Sequence, residues 1–130
     1  MKLQKLCYYA QAWHLVWEDR PLFDNEIQAW ANGPVVPDLY LHHRGRLQVA
    51  PGELPGHADA LTAGERESID VVLEFYGELT AHQLSELTHR EAPWRDARSN
   101  AGLAPMERGT ARITHAAMFE YYDGLTSTDD

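Results

Sequence analysis

This sequence of 130 residues contains a single cysteine, Cys7, and no long apolar run. One cysteine cannot form an internal disulfide, and it excludes a zinc site built from four thiolates. A membrane helix needs about 20 consecutive apolar residues, and no uninterrupted apolar segment follows Lys2 and Lys5 as it would in a signal peptide. We therefore expect a cytoplasmic protein in which Cys7 is a small buried hydrophobe on a helix.

The motifs of common catalytic and cofactor sites are also missing. There is no glycine-rich phosphate loop, no HExxH, and no histidine–cysteine set with zinc spacing. Cys7 and His14 are two helical turns apart, about 10 Å, which is too far for a direct hydrogen bond. The sequence predicts no enzyme, cofactor or metal, although a hydrolase with a metal site assembled from distant residues stays open.

Basic residues are scarce, with 11 against 20 acidic ones and a net charge of −9. Residues 51–80 are the most acidic part, since Arg66 is their only basic residue. Nucleic acid repels such a chain, so we expect a basic partner or no charged partner. DNA binding would need a local basic patch. Its candidates are Arg44, Arg46, Arg90, Arg95 and Arg98.

What the sequence does have is enough apolar residues, 44% of the chain, for one core. A helical spacing of apolar residues predicts a helix over residues 2–17. Its inward stripe is expected to be Leu3, Leu6, Cys7, Ala10, Trp13 and Trp17. Tyr8, Tyr9 and His14 are expected beside this stripe.

The next segment contains several glycines and prolines, which interrupt helices and strands. Residues 26–31 suit either a short strand or one helical turn, and Asn32-Gly33-Pro34 ends that element. Pro37 fits the first turn of a helix reaching about His43. Residues 44–61 carry closely spaced glycines and prolines, which predict a long loop.

Helix starts are well marked in the second half. Thr62 and Thr80 each open a capping-box pattern; Ile69, Val72, Leu73 and Tyr76 should face inward after the first, and Leu84 and Leu87 after the second. A short helix is expected over residues 92–99, an extended piece at 112–113, and a last helix from the cap Thr114 to Gly124. Ala117, Tyr121 and Met118 of that helix should face the core.

These patterns predict a mainly α fold. It is a compact bundle of five to six short helices with at most a small two-stranded β element, an arrangement compatible with a winged-helix-like core. Residues 1–125 form one domain, and residues 126–130 form a disordered polar tail.

Four ordered blocks resemble one known family. Lys2–His14 is similar to its K-L-Q-K-L-x-Y-Y-A-Q-x-W-H opening, and residues 21–40, with Gly33-Pro34-Val35-Val36-Pro37, resemble its second block. Residues 69–94, ending in Glu91-Ala92-Pro93-Trp94, resemble the third, and residues 113–125 resemble the closing segment. The sequence thus resembles the Panacea, or SocA-like, antitoxin domain of bacterial and phage toxin–antitoxin systems.

The resemblance implies an antitoxin that neutralises a toxin from a neighbouring gene by direct protein contact, without catalysis. It also implies a setting in prophages and phage defence. One relative of this kind hands its bound toxin to a protease, so an adaptor role is an alternative. A DNA-binding transcriptional regulator is another.

The partner surface is predicted from surplus aromatic residues and from the motif blocks, because Tyr and Trp are enriched at binding hot spots. The candidate partner-binding residues are Tyr8, Tyr9, Trp13, Trp30, Gly33, Pro34, Val35, Tyr40 and Trp94. Members of the family usually carry a helical segment before the first block. Without it, one side of the first helix is expected to be open to a partner or to a second copy, giving a homo-oligomer.

Overall fold

The structure is a computed structural model and describes residues 2–43, 62–104 and 106–126. Within these ranges there are six helices and three short strands. The helices are α1 (Lys2–Glu18), α2 (Pro37–His43), α3 (Ala63–Tyr76), α4 (Ala81–Arg90), α5 (Ala92–Asn100) and α6 (His115–Thr126). The strands are β1 (Ile27–Trp30), β2 (Gly33–Val35) and β3 (Arg112–Ile113). The mainly α class with a small β element is confirmed.

The sheet contains one strand more than the two expected. Its order is β2-β1-β3, and both pairings are antiparallel. The Asn32-Gly33-Pro34 segment does not simply end β1. Gly33 has a φ of +128°, so the chain can reverse there and return as β2, with Trp30 opposite Gly33. The predicted extended piece at residues 112–113 is β3.

Helix α1 lies at the centre, in contact with α3, α4, α6 and β2. The predicted inward stripe is wrong in part, because Trp17 is 42% exposed. Tyr8, Tyr9 and His14, expected beside the stripe, are fully buried. A helix covered from several sides buries more than one face, so its polar residues enter the core too.

The predicted helix starts at Thr62, Thr80 and Thr114 are confirmed. Thr62 and Thr80 both form complete capping boxes, with Glu65 and Gln83. Thr114 Oγ1 accepts a hydrogen bond from the Ala117 backbone N–H at 3.1 Å. The predicted inward face of α3 is wrong in part. In α3, Leu73 is 45% exposed.

The last helix differs from its prediction in two respects. Met118 and Tyr122 are its buried residues, whereas Ala117 and Tyr121 are half-buried. The helix also continues through Gly124 to Thr126, because a glycine past the last core residue does not force a stop. The predicted loop at residues 44–61 and most of the polar tail, residues 127–130, lie outside the described residues.

Candidate functional site

Two glutamines of α1, spaced seven residues apart, hold the chain on either side of the β1–β2 hairpin. Gln4 accepts a hydrogen bond from the Val36 N–H at 2.7 Å and donates one to the Val36 carbonyl at 3.4 Å. Gln11 accepts from the Leu22 N–H at 2.7 Å and donates to the Phe23 carbonyl at 2.8 Å. Both side-chain amides are buried. Each pairs with a backbone N–H and a backbone carbonyl, as the peptide group of a neighbouring strand would. The helix thereby fixes the entry and the exit of the hairpin.

A second polar cluster joins α1 to α5 and α6. The hydroxyls of Tyr9 and Tyr122 donate to the same Glu91 oxygen at 2.6 and 2.9 Å. The Tyr8 and Tyr122 hydroxyls lie 3.0 Å apart. Because Tyr122 gives its proton to Glu91, Tyr8 is the donor in that contact. We call these four residues, Tyr8, Tyr9, Glu91 and Tyr122, the tyrosine–glutamate network.

Burial sets the protonation of this network. It raises the pKa of the Glu91 carboxyl and raises the pKa of the Tyr8, Tyr9 and Tyr122 hydroxyls well above their usual range. The ring of Tyr9 stacks on Tyr76 with centroids 4.1 Å apart. The tyrosines therefore remain neutral donors at neutral pH, and the network is a structural element of the core.

A third buried polar group lies under the tip of the hairpin. Lys5 is 1% exposed, and its Nζ has no hydrogen-bond partner among the described residues. Burial lowers the pKa of the Lys5 amine to about 8. A Cβ at Gly33 would collide with Lys5 Cε and lie 3.2 Å from Thr88 Oγ1. Gly33 is thus needed both for its positive φ and for its contact with Lys5.

Helices α4 and α5 support the same hairpin from the other side. The Trp94 indole donates to the Trp30 carbonyl at 2.8 Å, and the Arg98 guanidinium donates to the Ala29 carbonyl at 2.9 Å. His89 stacks on Trp94 with ring centroids 4.0 Å apart. Trp94 is therefore an anchor for β1 and is itself buried.

The surface feature closest to a binding site is a groove beside the hairpin, with a volume of about 580 Å³. Trp30 and Tyr40 form one part of its wall, with ring centroids 5.0 Å apart and an interplanar angle of 69°. Its full lining is Trp30, Ala31, Asn32, Val35, Tyr40, Arg108, Gly109 and Thr110. We call it the hairpin groove. A concave site with aromatic walls and one cation suits an apolar side chain next to an acceptor.

The structure brings three of the nine predicted partner-binding residues together, namely Trp30, Val35 and Tyr40, in the hairpin groove. Trp13 is half-buried on another side, where its indole donates to the Tyr76 hydroxyl at 3.0 Å. The remaining five are buried in the fold: Tyr8, Tyr9, Gly33, Pro34 and Trp94. As partner contacts these five stay a prediction, and in the fold they are covered by the domain itself.

Sequence reasoning missed the polar core. Gln4 and Gln11 belong to the first motif block, and nothing in the pattern of apolar residues predicts that they, Lys5 and Glu91 are buried. The seven-residue spacing of the two glutamines was the available signal, since it places both on one face of a helix.

The basic patch needed for DNA binding is not assembled by the described residues. Arg98 is 3% exposed and bonded to backbone carbonyls. Arg90 lies 4.0 Å from Glu86, and Arg95 lies 3.6 Å from Asp96. Arg44 and Arg46 lie outside the described residues. Within the described residues, no helix is long and apolar enough to cross a membrane, and no group of three or more metal-ligand side chains comes together.

Fold and groove together define a small, mainly helical domain with a polar core and an aromatic groove at a β-hairpin. Residues 3–95 match the family model described as "Antitoxin SocA-like, Panacea domain". The chain belongs to this family, and the resemblance seen in the three motif blocks within residues 2–94 is confirmed. No curated protein and no solved structure matches it.

Proposed function

We propose that this protein is an antitoxin that neutralises a protein toxin, encoded by a neighbouring gene, through direct contact. Membership of the SocA-like Panacea family over residues 3–95 carries the proposal, because that family implies a role in a toxin–antitoxin system. Under this proposal the protein acts by binding and not by catalysis, it works in the cytoplasm, and residues 1–125 act as one domain.

We further propose the hairpin groove as the toxin-contact surface. Trp30 and Tyr40 are half-buried, so they are rigidly placed and still reachable from solvent. Pre-ordered aromatic side chains lose little entropy on binding and are typical anchors of an interface. Arg108, an exposed residue at the groove, would pair with an acceptor of the toxin. We expect a complex that buries about 1,200–2,000 Å² in total, with the groove near its centre.

Co-expression tests the proposal. Each neighbouring reading frame is expressed in a bacterial host, alone and together with this protein, and growth and co-purification are scored. We expect one neighbour to arrest growth alone and to be neutralised and co-purified with this chain. Absence of toxicity from every neighbour, or toxicity that this chain does not relieve, would remove the antitoxin role.

The groove is tested separately in the neutralising pair. Trp30→Ala and Tyr40→Ala should each weaken toxin binding by about 30-fold or more, as expected for hot-spot residues. Trp17→Ala is the matched control, since Trp17 is an aromatic residue 42% exposed on α1. Thermal melting must first show that each variant is folded. Folded groove variants that neutralise as well as the wild type would move the interface elsewhere and leave the antitoxin role intact.

A further inference from the structure

The outward side of α3 carries a stripe that the core does not use. Its positions follow the i, i+3, i+4, i+7, i+8, i+11 spacing that places side chains on one helix face. The members are Glu67, Asp70, Val71, Glu74, Phe75 and, in the turn just after the helix, Glu78. All six are exposed. We call them the α3 stripe.

The stripe combines exposed apolar side chains with a rim of carboxylates. Phe75 is 78% exposed and Val71 is 39% exposed, so water contacts a large apolar side chain. Four carboxylates surround this pair, and Arg66 is the only basic residue within α3. An apolar centre with a charged rim is the usual composition of a contact surface.

The inward side of the same helix is already occupied. Ser68, Val72 and Tyr76 are buried, and α3 packs along α1. The Phe75 ring touches only the edge of this core, with its centroid 5.2 Å from that of Tyr76. None of the residues that line the hairpin groove belongs to α3. The stripe is therefore a surface separate from the groove.

We propose that the α3 stripe is a docking surface for a cationic amphipathic helix of a partner protein. The negative charge of the stripe favours a cationic partner over a second copy of this chain. A second copy laid stripe to stripe would place eight carboxylates against each other, four from each chain, which is repulsive. A helix with Lys and Arg on both sides of an apolar seam would pair with the carboxylates while its seam covers Val71 and Phe75. This surface does not depend on the toxin being bound in the groove.

The probe is a labelled synthetic helix of 18 residues, with leucines along one seam and lysines and arginines elsewhere. A scrambled peptide of the same composition keeps the charge and removes the seam. Fluorescence anisotropy with the full chain should give clearly tighter binding of the amphipathic peptide than of the scrambled one. The affinity should fall several-fold between about 50 and 300 mM salt, because exposed charges are screened over about 10 Å or less.

Two variants locate the binding. Phe75→Ser should weaken binding of the amphipathic peptide by about tenfold or more. Met106→Ser is the matched control, since Met106 is 75% exposed and lies outside the stripe, and it should bind like the wild type. Both positions are exposed, so both variants should fold, which circular dichroism checks.

Four results would overturn the proposal. The first is equal binding of the two peptides, which would reduce the effect to net charge. The second is no binding of the amphipathic peptide to the wild type. The third is unchanged binding to Phe75→Ser. The fourth is a wild-type dimer, seen by sedimentation, that Phe75→Ser dissociates, because the occupant would then be a second copy.

Discussion

Two buried polar sites on the same helix, α1, are built in opposite ways. The tyrosine–glutamate network pairs every hydroxyl with an acceptor, ending at one Glu91 oxygen. About one helical turn before Tyr8 and Tyr9, the Lys5 amine is equally buried and has no acceptor within the described part of the chain. A satisfied buried network adds stability and rigidity, whereas an unpaired buried cation costs stability. The network is therefore expected to hold the domain together, and the Lys5 site is expected to weaken it locally under the hairpin.

The largest effect should come from removing the acceptor of the network. Glu91→Ala should lower the free energy of unfolding by about 3 kcal/mol, because two buried tyrosine hydroxyls lose their partner. Glu91→Gln keeps an acceptor oxygen and should lose less. Chemical denaturation measures both, with the exposed Glu86→Ala as control, expected within about 0.5 kcal/mol of wild type. A loss below about 1 kcal/mol for Glu91→Ala would contradict the structural role of the network.

The next largest effect concerns the hairpin above Lys5. Gly33→Ala should cost about 2 kcal/mol, since a non-glycine residue is strained at this φ and its Cβ meets Lys5. Gly102→Ala is a reference for a positive φ without a steric contact, because Gly102 has a φ of +74° and nothing within 4 Å of its Cβ position. We expect about 1 kcal/mol there. The double-mutant cycle of Gly33→Ala with Lys5→Ala isolates the Lys5 contact, and Lys5→Ala should cost less in the Gly33→Ala background than in the wild type. Absence of coupling between the two substitutions would exclude the Lys5 contact.

Replacing the unpaired Lys5 amine should raise the free energy of unfolding, in contrast to the two destabilising substitutions above. Lys5→Met keeps the apolar stem and removes the buried cation, so the free energy of unfolding at pH 7 should rise by about 1 kcal/mol. Lys2→Met is not a neutral control, because Lys2 donates to the Gly77 carbonyl at 2.6 Å, and it should lose stability. A clear destabilisation by Lys5→Met would mean that the amine has a partner after all.

The most specific effect is on the pH dependence of stability. The folded pKa of Lys5, about 8, lies below its ordinary value of 10.5, so the folded state releases this proton first. Wild type should therefore gain stability relative to Lys5→Met as the pH rises from about 8 to 10, by less than about 1.4 kcal/mol per pH unit. Cys7, whose pKa burial raises to about 11, contributes equally to both proteins. A pH-independent difference would refute the burial of an unpaired Lys5.

Above pH 10 the tyrosines should dominate. Their folded pKa values are raised, that of Tyr76 to about 12, so the unfolded chain loses protons first and stability falls as the pH rises. This alkaline fall should be shallower in Tyr122→Phe, which has one buried hydroxyl fewer. Thermal melting across this range would show it, and the same fall in both proteins would contradict the role of Tyr122.

Elements that depend on neighbours in sequence could be predicted. The caps at Thr62 and Thr80 and the proline at the start of α2 act within one helical turn, so a short stretch of sequence specifies them. The inward faces could not be predicted as well. Tyr121 and Tyr122 are adjacent, and only the position of α6 against α1 decides which ring enters the core.

In the candidate site, too, some features could be predicted from the sequence and others depend on tertiary contacts. The aromatic content suggested a partner surface, and Trp30, Val35 and Tyr40 do meet in the hairpin groove. Tyr8 and Tyr9 carried the same signal and are core residues, because Tyr122 accepts from the Tyr8 hydroxyl and the Glu91 carboxylate accepts from the Tyr9 hydroxyl. A sequence cannot show the Glu91 acceptor, which comes from 82 residues further along the chain.

The sequence by itself determined the family, the helical class, the acidic charge and the positions where helices begin, because these follow from composition, ordered motifs and local hydrogen bonds. Only the tertiary structure decided which polar residues are buried, how α1 holds the hairpin, and which aromatic rings remain accessible. Those outcomes depend on contacts between segments far apart in the chain, such as the packing of α1 against α3, α4, α6 and β2.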